Sequence, residues 1–260
     1  MTLSIAWVRE QSNASELVFA SDSRLTGGGH VDCCQKIFQF PREDCGISFC
    51  GLTFLAYPFI FQVDSFIREY KSGYDRAKDI SEMQSRIADL FNSFITSHDV
   101  GDTRDAFIDD LKITKFLFGG WSWKHSRFFI YKLFYDKSLR RFTFATTGVW
   151  ARYKLPRGNP LKFAFIGDYE AEFLHRMDAK IKERNIQKTG KLNYEPLEVL
   201  TEMLQDSKFT DRSAPLKGCI GGSPQVMVIY LYMRTVNFGI YWQIDGRRVL
   251  TSRGRVLKRL

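Results

Sequence analysis

The sequence lacks most of the parts from which familiar catalytic and metal centres are built. It contains no GxSxG elbow, and no cysteine carries a local histidine signature. It contains no CxxC pair, and its four histidines (His30, His98, His125, His175) are scattered. These spacings do not match those of a structural zinc site. No apolar run approaches the ~20 residues a membrane-spanning helix needs, and the N-terminus has no secretory h-region. The five cysteines (Cys33, Cys34, Cys45, Cys50, Cys219) are odd in number. They are therefore expected to be reduced thiols in a cytoplasmic protein. Cys33, Cys34 and Cys50 are expected to be small buried apolar residues. There is no RNP, KH or helix-turn-helix pattern. There is also no internal repeat and no linker rich in Pro, Gly or Ser, so one domain over residues 1–260 is expected.

What is present is a large apolar inventory. Hydrophobic residues make up 44% of the 260, with 23 Phe, which is enough for a substantial core. The net charge of +9 fits a nucleic-acid binder, an acidic partner or a basic outer surface, and favours none of them. The C-terminal "RRVLTSRGRVLKRL" holds six positive charges and no acid. It reads either as a docking segment for nucleic acid or an acidic surface, or as a solvated surface strand. With no nucleic-acid motif beside it, the second reading is preferred.

Periodicity organises the chain into blocks. Thr2 to Arg9 alternates like a strand, "EQSNAS" is a polar turn, and Glu16 to Ala20 is a second strand, so the two predict a hairpin. Short strands follow at Lys36 to Phe40 and Cys45 to Cys50. A helix is predicted from near Pro58, since proline suits a helix start, to about Tyr70. A second helix carries Ile80, Met83, Ile87, Leu90, Phe91, Phe94 and Ile95 at helical spacing. An antiparallel meander is expected from Ile113 to about Gly148, then a strand at Leu161 to Asp168. Two more helices follow, one with Phe173, Leu174, Met177 and Ile181, the other with Leu197, Leu200, Met203 and Leu204. "KERNIQKTGKLNYEP" reads as a polar loop between them. The chain closes with the strands "PQVMVIYLYM" and "VNFGIYWQID". Strands and helices come in groups, which excludes a doubly wound parallel sheet. Two antiparallel sheets with a helical pair on each outer face would bury every apolar face.

Thr2 directly follows the initiator Met1. If Met1 is removed, Thr2 offers a hydroxyl nucleophile and its own α-amine as base. That amine has an ordinary pKa near ~8, close to working pH. Such a nucleophile needs a nearby ammonium, a carboxylate to hold that ammonium, and a backbone N–H facing the oxyanion. Asp22 ends the strand beside Thr2, Lys36 opens the third strand, and Gly51 follows the fourth.

Met-Thr, "VFASDSRLTGGG", "QKIF" and "ISFCGLT" together resemble the N-terminal third of proteasome β-type subunits and the related bacterial two-component protease, which are N-terminal nucleophile hydrolases. The resemblance covers about residues 2 to 67. It implies an α+β four-layer αββα sandwich, with two antiparallel sheets between helical layers. It also implies Thr2 as nucleophile, Asp22 as its carboxylate, Lys36 as its lysine and Gly51 as oxyanion donor. Asp168, in "FIGDYEAEF", falls near the family's supporting serine; the residue also suits a helix N-cap. Ser223 lies beside a Gly-Gly turn like the family's, and Asp211 is a remote candidate for the acid before it. "LTFLAY" departs from the family's Ala-rich turn. The implied activity is threonine-dependent hydrolysis of an amide or peptide bond, without metal or organic cofactor. The implied partners are a peptide or protein substrate, further copies of the chain in a homo-oligomeric ring, and an ATP-dependent unfoldase for folded substrates; no nucleic acid or membrane is called for. The alternatives are a catalytically silent scaffold of the same fold and a basic nucleic-acid-associated module.

Overall fold

A computed structural model describes residues 2–10, 14–26, 29–97, 104–146, 162–213, 220–231 and 233–259. Met1, Gly27, Gly28, His98 and Cys219 lie outside the described residues. In chain order the first strands are β1 (Leu3–Glu10), β2 (Ser15–Ser21), β3 (Leu25–Thr26), β4 (His30–Val31), β5 (Ile37–Gln39) and β6 (Cys45–Cys50). The helices α1 (Thr53–Glu69), α2 (Lys71–Tyr74), α3 (Ile80–Thr96) and α4 (Arg104–Ile113) come next. The meander is β7 (Lys115–Ser122), β8 (Arg127–Asp136) and β9 (Arg141–Thr146), followed by β10 (Phe163–Gly167). Then come α5 (Glu170–Glu183), α6 (Ile186–Thr189), α7 (Glu195–Gln205) and α8 (Ser207–Thr210). The closing strands are β11 (Gln225–Tyr230), β12 (Thr235–Phe238), β13 (Ile240–Ile244), β14 (Arg247–Ser252) and β15 (Arg255–Arg259).

Two five-stranded antiparallel sheets carry the fold, in the orders β10-β1-β2-β11-β12 and β5-β6-β7-β8-β9. Their central strands are buried along nearly their whole length, because both faces are covered. The period of two divides the side chains. Leu3, Ile5 and Trp7 of β1 pack with Phe173, Met177 and Leu200 of α5 and α7. Ala6 and Val8 point the other way, into a cluster with Leu117, Ile130 and Met227 between the sheets. Ile47, Phe49, Phe116 and Phe118 face Phe59, Ile87 and Phe91 of α1 and α3. The β1–β2 register sets Ser4 opposite Ser21, and their hydroxyls meet at 2.7 Å, which aligns the strand ends where Asp22 follows.

Several expectations are corrected. The first long helix starts at Thr53, so Pro58 lies inside it. An internal proline costs ~3 kcal/mol. Burial of Leu55, Phe59, Ile60, Val63 and Ile67 along one stripe, worth ~1.5–3 kcal/mol each, exceeds that cost. Helix α4 stands where the chain was expected to run straight into a strand. Its short buried stripe, Phe107 and Leu111, is too brief to announce itself as a period. The polar loop after α5 contains α6 and buries Ile186 and Leu192, and the Trp7 indole donates to the Asn193 carbonyl at 2.6 Å. "VNFGIYWQID" is split at Gly239: β12 stays with the large sheet, and β13 joins the basic tail in a separate sheet, β13-β14-β15. Cys33 is exposed and Cys34 half-exposed, whereas Cys45 and Cys50 are buried. Among the described residues, no helix is long and apolar enough to cross a membrane.

Candidate active site

Thr2 sits just before β1 and is 1% exposed. Its backbone is held on both sides by one residue. The Thr2 N–H donates to Asp168 Oδ2 at 2.8 Å, and the Asp168 N–H donates to the Thr2 carbonyl at 2.7 Å. This close approach requires glycine at 167: its φ is +117°, and a Cβ there would lie 1.8 Å from the Thr2 oxygen. Asp168 therefore does not act as a helix cap. The N-cap of α5 is Tyr169, at φ 60°, with no side-chain cap bond.

Asp22 follows β2 and is completely buried. Its Oδ1 accepts from the Leu3 N–H at 3.1 Å and from Lys36 Nζ at 2.9 Å. Its Oδ2 accepts from the N–H groups of Arg24 at 3.2 Å and Gly221 at 3.1 Å. One carboxylate oxygen thus joins the lysine to the residue next to Thr2. Lys36 is also fully buried. Burial pulls its pKa below the ordinary lysine value, against the opposing fields of Asp22, Cys50 and Asp168. Asp168 and Cys50 are thus in electrostatic range of Lys36, and Asp168 and Asp22 bond the backbones of Thr2 and Leu3, so the start of β1, the ends of β2 and β10 and the entry to β5 share one region.

Gly51 stands one residue beyond Cys50, at φ +96°. A Cβ there would lie 2.5 Å from the Ile113 carbonyl, so passage of the α4–β7 junction alone demands glycine. The Leu52 N–H donates to Thr114 Oγ1 at 3.3 Å in the same crossing. The Cys50 thiol is pushed up to about 12 by burial and stays neutral at physiological pH. Asp211 is exposed, and its carboxylate accepts from the N–H and hydroxyl of Ser213 at 2.8 Å each.

One supporting residue escaped the sequence reading, and one feature it noted gains a role. Gln225, buried at the start of β11, accepts the Lys36 N–H at 3.0 Å and donates to the carbonyls of Asp22 at 3.2 Å and Cys34 at 2.7 Å. It ties the carboxylate segment to the lysine segment. A lone amide in the apolar run "QVMVIY" was the available signal. The Gly221–Gly222 turn is the feature already noted. A Cβ at Gly221 would strike the Arg24 guanidinium at 2.2 Å, and one at Gly222 would meet Ser23 Oγ at 2.3 Å. Ser23 Oγ lies 2.8 Å from the Ser223 carbonyl, so the turn clamps the segment that carries Asp22. Among the described residues, no three His, Cys, Asp or Glu side chains gather as a metal set.

No protein-family model and no curated protein sequence matches the chain. Solved structures do. The Gly-1 mutant of Anbu from Hyphomicrobium sp. strain MC1, a bacterial proteasome-like subunit of the N-terminal nucleophile hydrolase type, aligns with a TM-score of 0.56 over 91% of this chain and 87% of its own. The fold is proteasome-like. At 13% identity the likeness concerns the fold alone. It covers nearly the whole chain, whereas the sequence resemblance stopped near residue 67.

Proposed function

We propose that the chain is a threonine-dependent amide or peptide hydrolase whose nucleophile is Thr2, exposed by removal of Met1. The observation that carries the reading is a completely buried Asp22–Lys36 pair whose carboxylate accepts the N–H of Leu3, next to Thr2, with the Asp168 carboxylate on the Thr2 N–H. Thr2 Oγ1 attacks the substrate carbonyl carbon and its proton passes to the Thr2 α-amine. The Lys36 ammonium favours the developing alkoxide, and Asp22 fixes that ammonium in place. The Gly51 N–H is the candidate donor to the oxyanion. Collapse expels the amine, which takes the proton, and leaves an ester on Thr2. Water then hydrolyses the ester and restores the hydroxyl. Asp168, 2.8 Å from the Thr2 nitrogen, orients the α-amine and favours its protonated form.

With this reading go a four-layer αββα arrangement, one domain over 1–260, and a homo-oligomeric ring with its sites inside. A cytoplasmic setting and an unfoldase for folded substrates go with it too. Their support is the N-terminal resemblance and the proteasome-like fold. The second reading, a silent scaffold, is favoured by the 1% exposure of Thr2. A panel of fluorogenic peptides separates the two. Hydrolysis lost in Thr2→Ala is the expected result, and equal rates in wild type and Thr2→Ala would reject the enzyme.

A further inference from the structure

Much of the basic tail is exposed, as a surface strand would be, but part of it lines a cleft. Its β14–β15 turn and β15 form one wall of a cleft of about 910 Å³, whose other walls are the β5–β6 turn, the segment after α2, and β12 with the turn before it. Four arginines line it, Arg76, Arg234, Arg253 and Arg255, against one acid, Glu43. Several arginines elsewhere meet carboxylates: Arg24 binds Asp32, Arg42 binds Asp44, and Arg184 binds Glu195 and Glu198. In the cleft, the side chains of Arg234, Arg253 and Arg255 have no ion-pair or hydrogen-bond partner among the described residues. Like charges gathered along a concave surface repel one another and focus a positive field.

The backbone beneath these arginines is built rather than loose. Arg76 and Arg253 adopt left-handed conformations at φ 62° and 50°, and Arg234 follows Met233 at φ 56°. Such positions cost free energy and persist only where the surroundings hold them. They are held here. Arg76 Nε donates to the Arg42 carbonyl at 2.7 Å. The Met233 turn is closed by the Tyr230 N–H to the Arg234 carbonyl at 2.9 Å. Beside Arg253, Gly254 is buried so tightly that a Cβ would lie 2.8 Å from Ser23 Cβ and 2.9 Å from the Cys34 carbonyl. That turn is wedged against the segment next to Asp22.

We propose that this cleft binds a chain of phosphates. Planar guanidinium forks grip phosphate oxygens in pairs. A phosphate chain brings several negative charges in a short length, which answers the excess of arginines over the single Glu43 better than carboxylates at one charge per side chain. The chain could be free oligophosphate or a nucleic-acid backbone, and both present the same chemistry. The site is independent of the hydrolase reading.

The test is titration of the full chain at low salt with four probes: inorganic tripolyphosphate, orthophosphate, a labelled dT12 oligonucleotide and a twelve-residue polyglutamate. Saturable binding of tripolyphosphate, weaker orthophosphate, and a loss of about tenfold or more in each of Arg253→Gln and Arg255→Gln is expected. Arg86→Gln, an exposed arginine on α3 with the same charge change, is expected to bind like wild type. Tighter dT12 binding with the same variant losses identifies the nucleic-acid backbone as the source, and tripolyphosphate binding without dT12 identifies a free oligophosphate. Absence of binding by both phosphate probes, equal loss in Arg86→Gln, or polyglutamate bound as tightly would overturn the proposal. Both variants change exposed or half-exposed side chains, so a melting curve matching wild type is expected for at least one of them.

Discussion

Two fully buried ion pairs flank the short strand β5, and they are built differently. Lys36–Asp22 stands before the strand, and Arg42–Asp44 stands in the turn after it. Arg42 and Asp44 are two residues apart and meet in a bidentate clasp, 2.6 and 2.9 Å, with Arg42 also donating to the Lys78 carbonyl. Burial works against that guanidinium charge, but the hydrogen bonds and charge of Asp44, with Cys45 and Asp79 nearby, together outweigh it and the Arg42 pKa is raised. Lys36 reaches a carboxylate that also serves three backbone amides, and burial wins, so its pKa falls. Arg42–Asp44 closes a turn. Lys36–Asp22 holds a point charge that burial destabilises, in electrostatic range of Asp168, whose carboxylate accepts the Thr2 N–H. Burial of an ion pair is by itself weak evidence of any role; what the charge faces separates the two.

Activity breaks the comparison most sharply. Lys36→Met is expected to lower peptide hydrolysis on the order of 10³-fold. Its stability cost is smaller than that of Asp44→Ala, because Asp22 keeps three amide donors. Asp44→Ala strands a buried guanidinium and is expected to cost about 3–5 kcal/mol by denaturant unfolding, with the activity of the folded fraction unchanged. Equal activity losses in the two variants would show that both pairs are merely structural. Gly167→Ala forces a Cβ into the Thr2 carbonyl and is expected to cost about 2 kcal/mol or more and to slow hydrolysis; a neutral result would mean that Thr2 is not held as described.

The smallest effect concerns pH. Asp168 favours the ammonium form of the Thr2 α-amine, and the reaction needs the free amine. Removing that negative charge in Asp168→Asn lowers the amine pKa, so the acid limb of kcat/KM is expected to move down by about one pH unit. An unmoved or raised limb would remove Asp168 from the site. On the alkaline side, the limb set by Lys36 is expected below the range of an exposed lysine, because its folded pKa is lowered.

The sequence made the strand ends legible and left their supports obscure. Asp22 and Lys36 could be placed because an apolar run that stops on a charge marks a strand end beside its hairpin partner. The need for glycine at 51 could not be read, since it depends on the Ile113–Thr114 crossing that α4 creates. Asp168 is open to two readings in the sequence, the family's supporting-serine position or a helix N-cap; the β1–β10 register brings it to Thr2. Gln225 lies far from Lys36 in sequence, and nothing local says whose amide it accepts. The tail's charges were plain, but not the folding of β14 and β15 that gathers two of its arginines with Arg76 and Arg234.

The measurement that tests the central claim most directly is the intact mass of the untagged protein, before and after exposure to a threonine-directed epoxyketone. That reagent closes a ring through both the hydroxyl and the free α-amine of an N-terminal threonine. The account predicts loss of Met1 and one covalent adduct, absent in Thr2→Ala. Met1 retained in full, with no adduct, would contradict it.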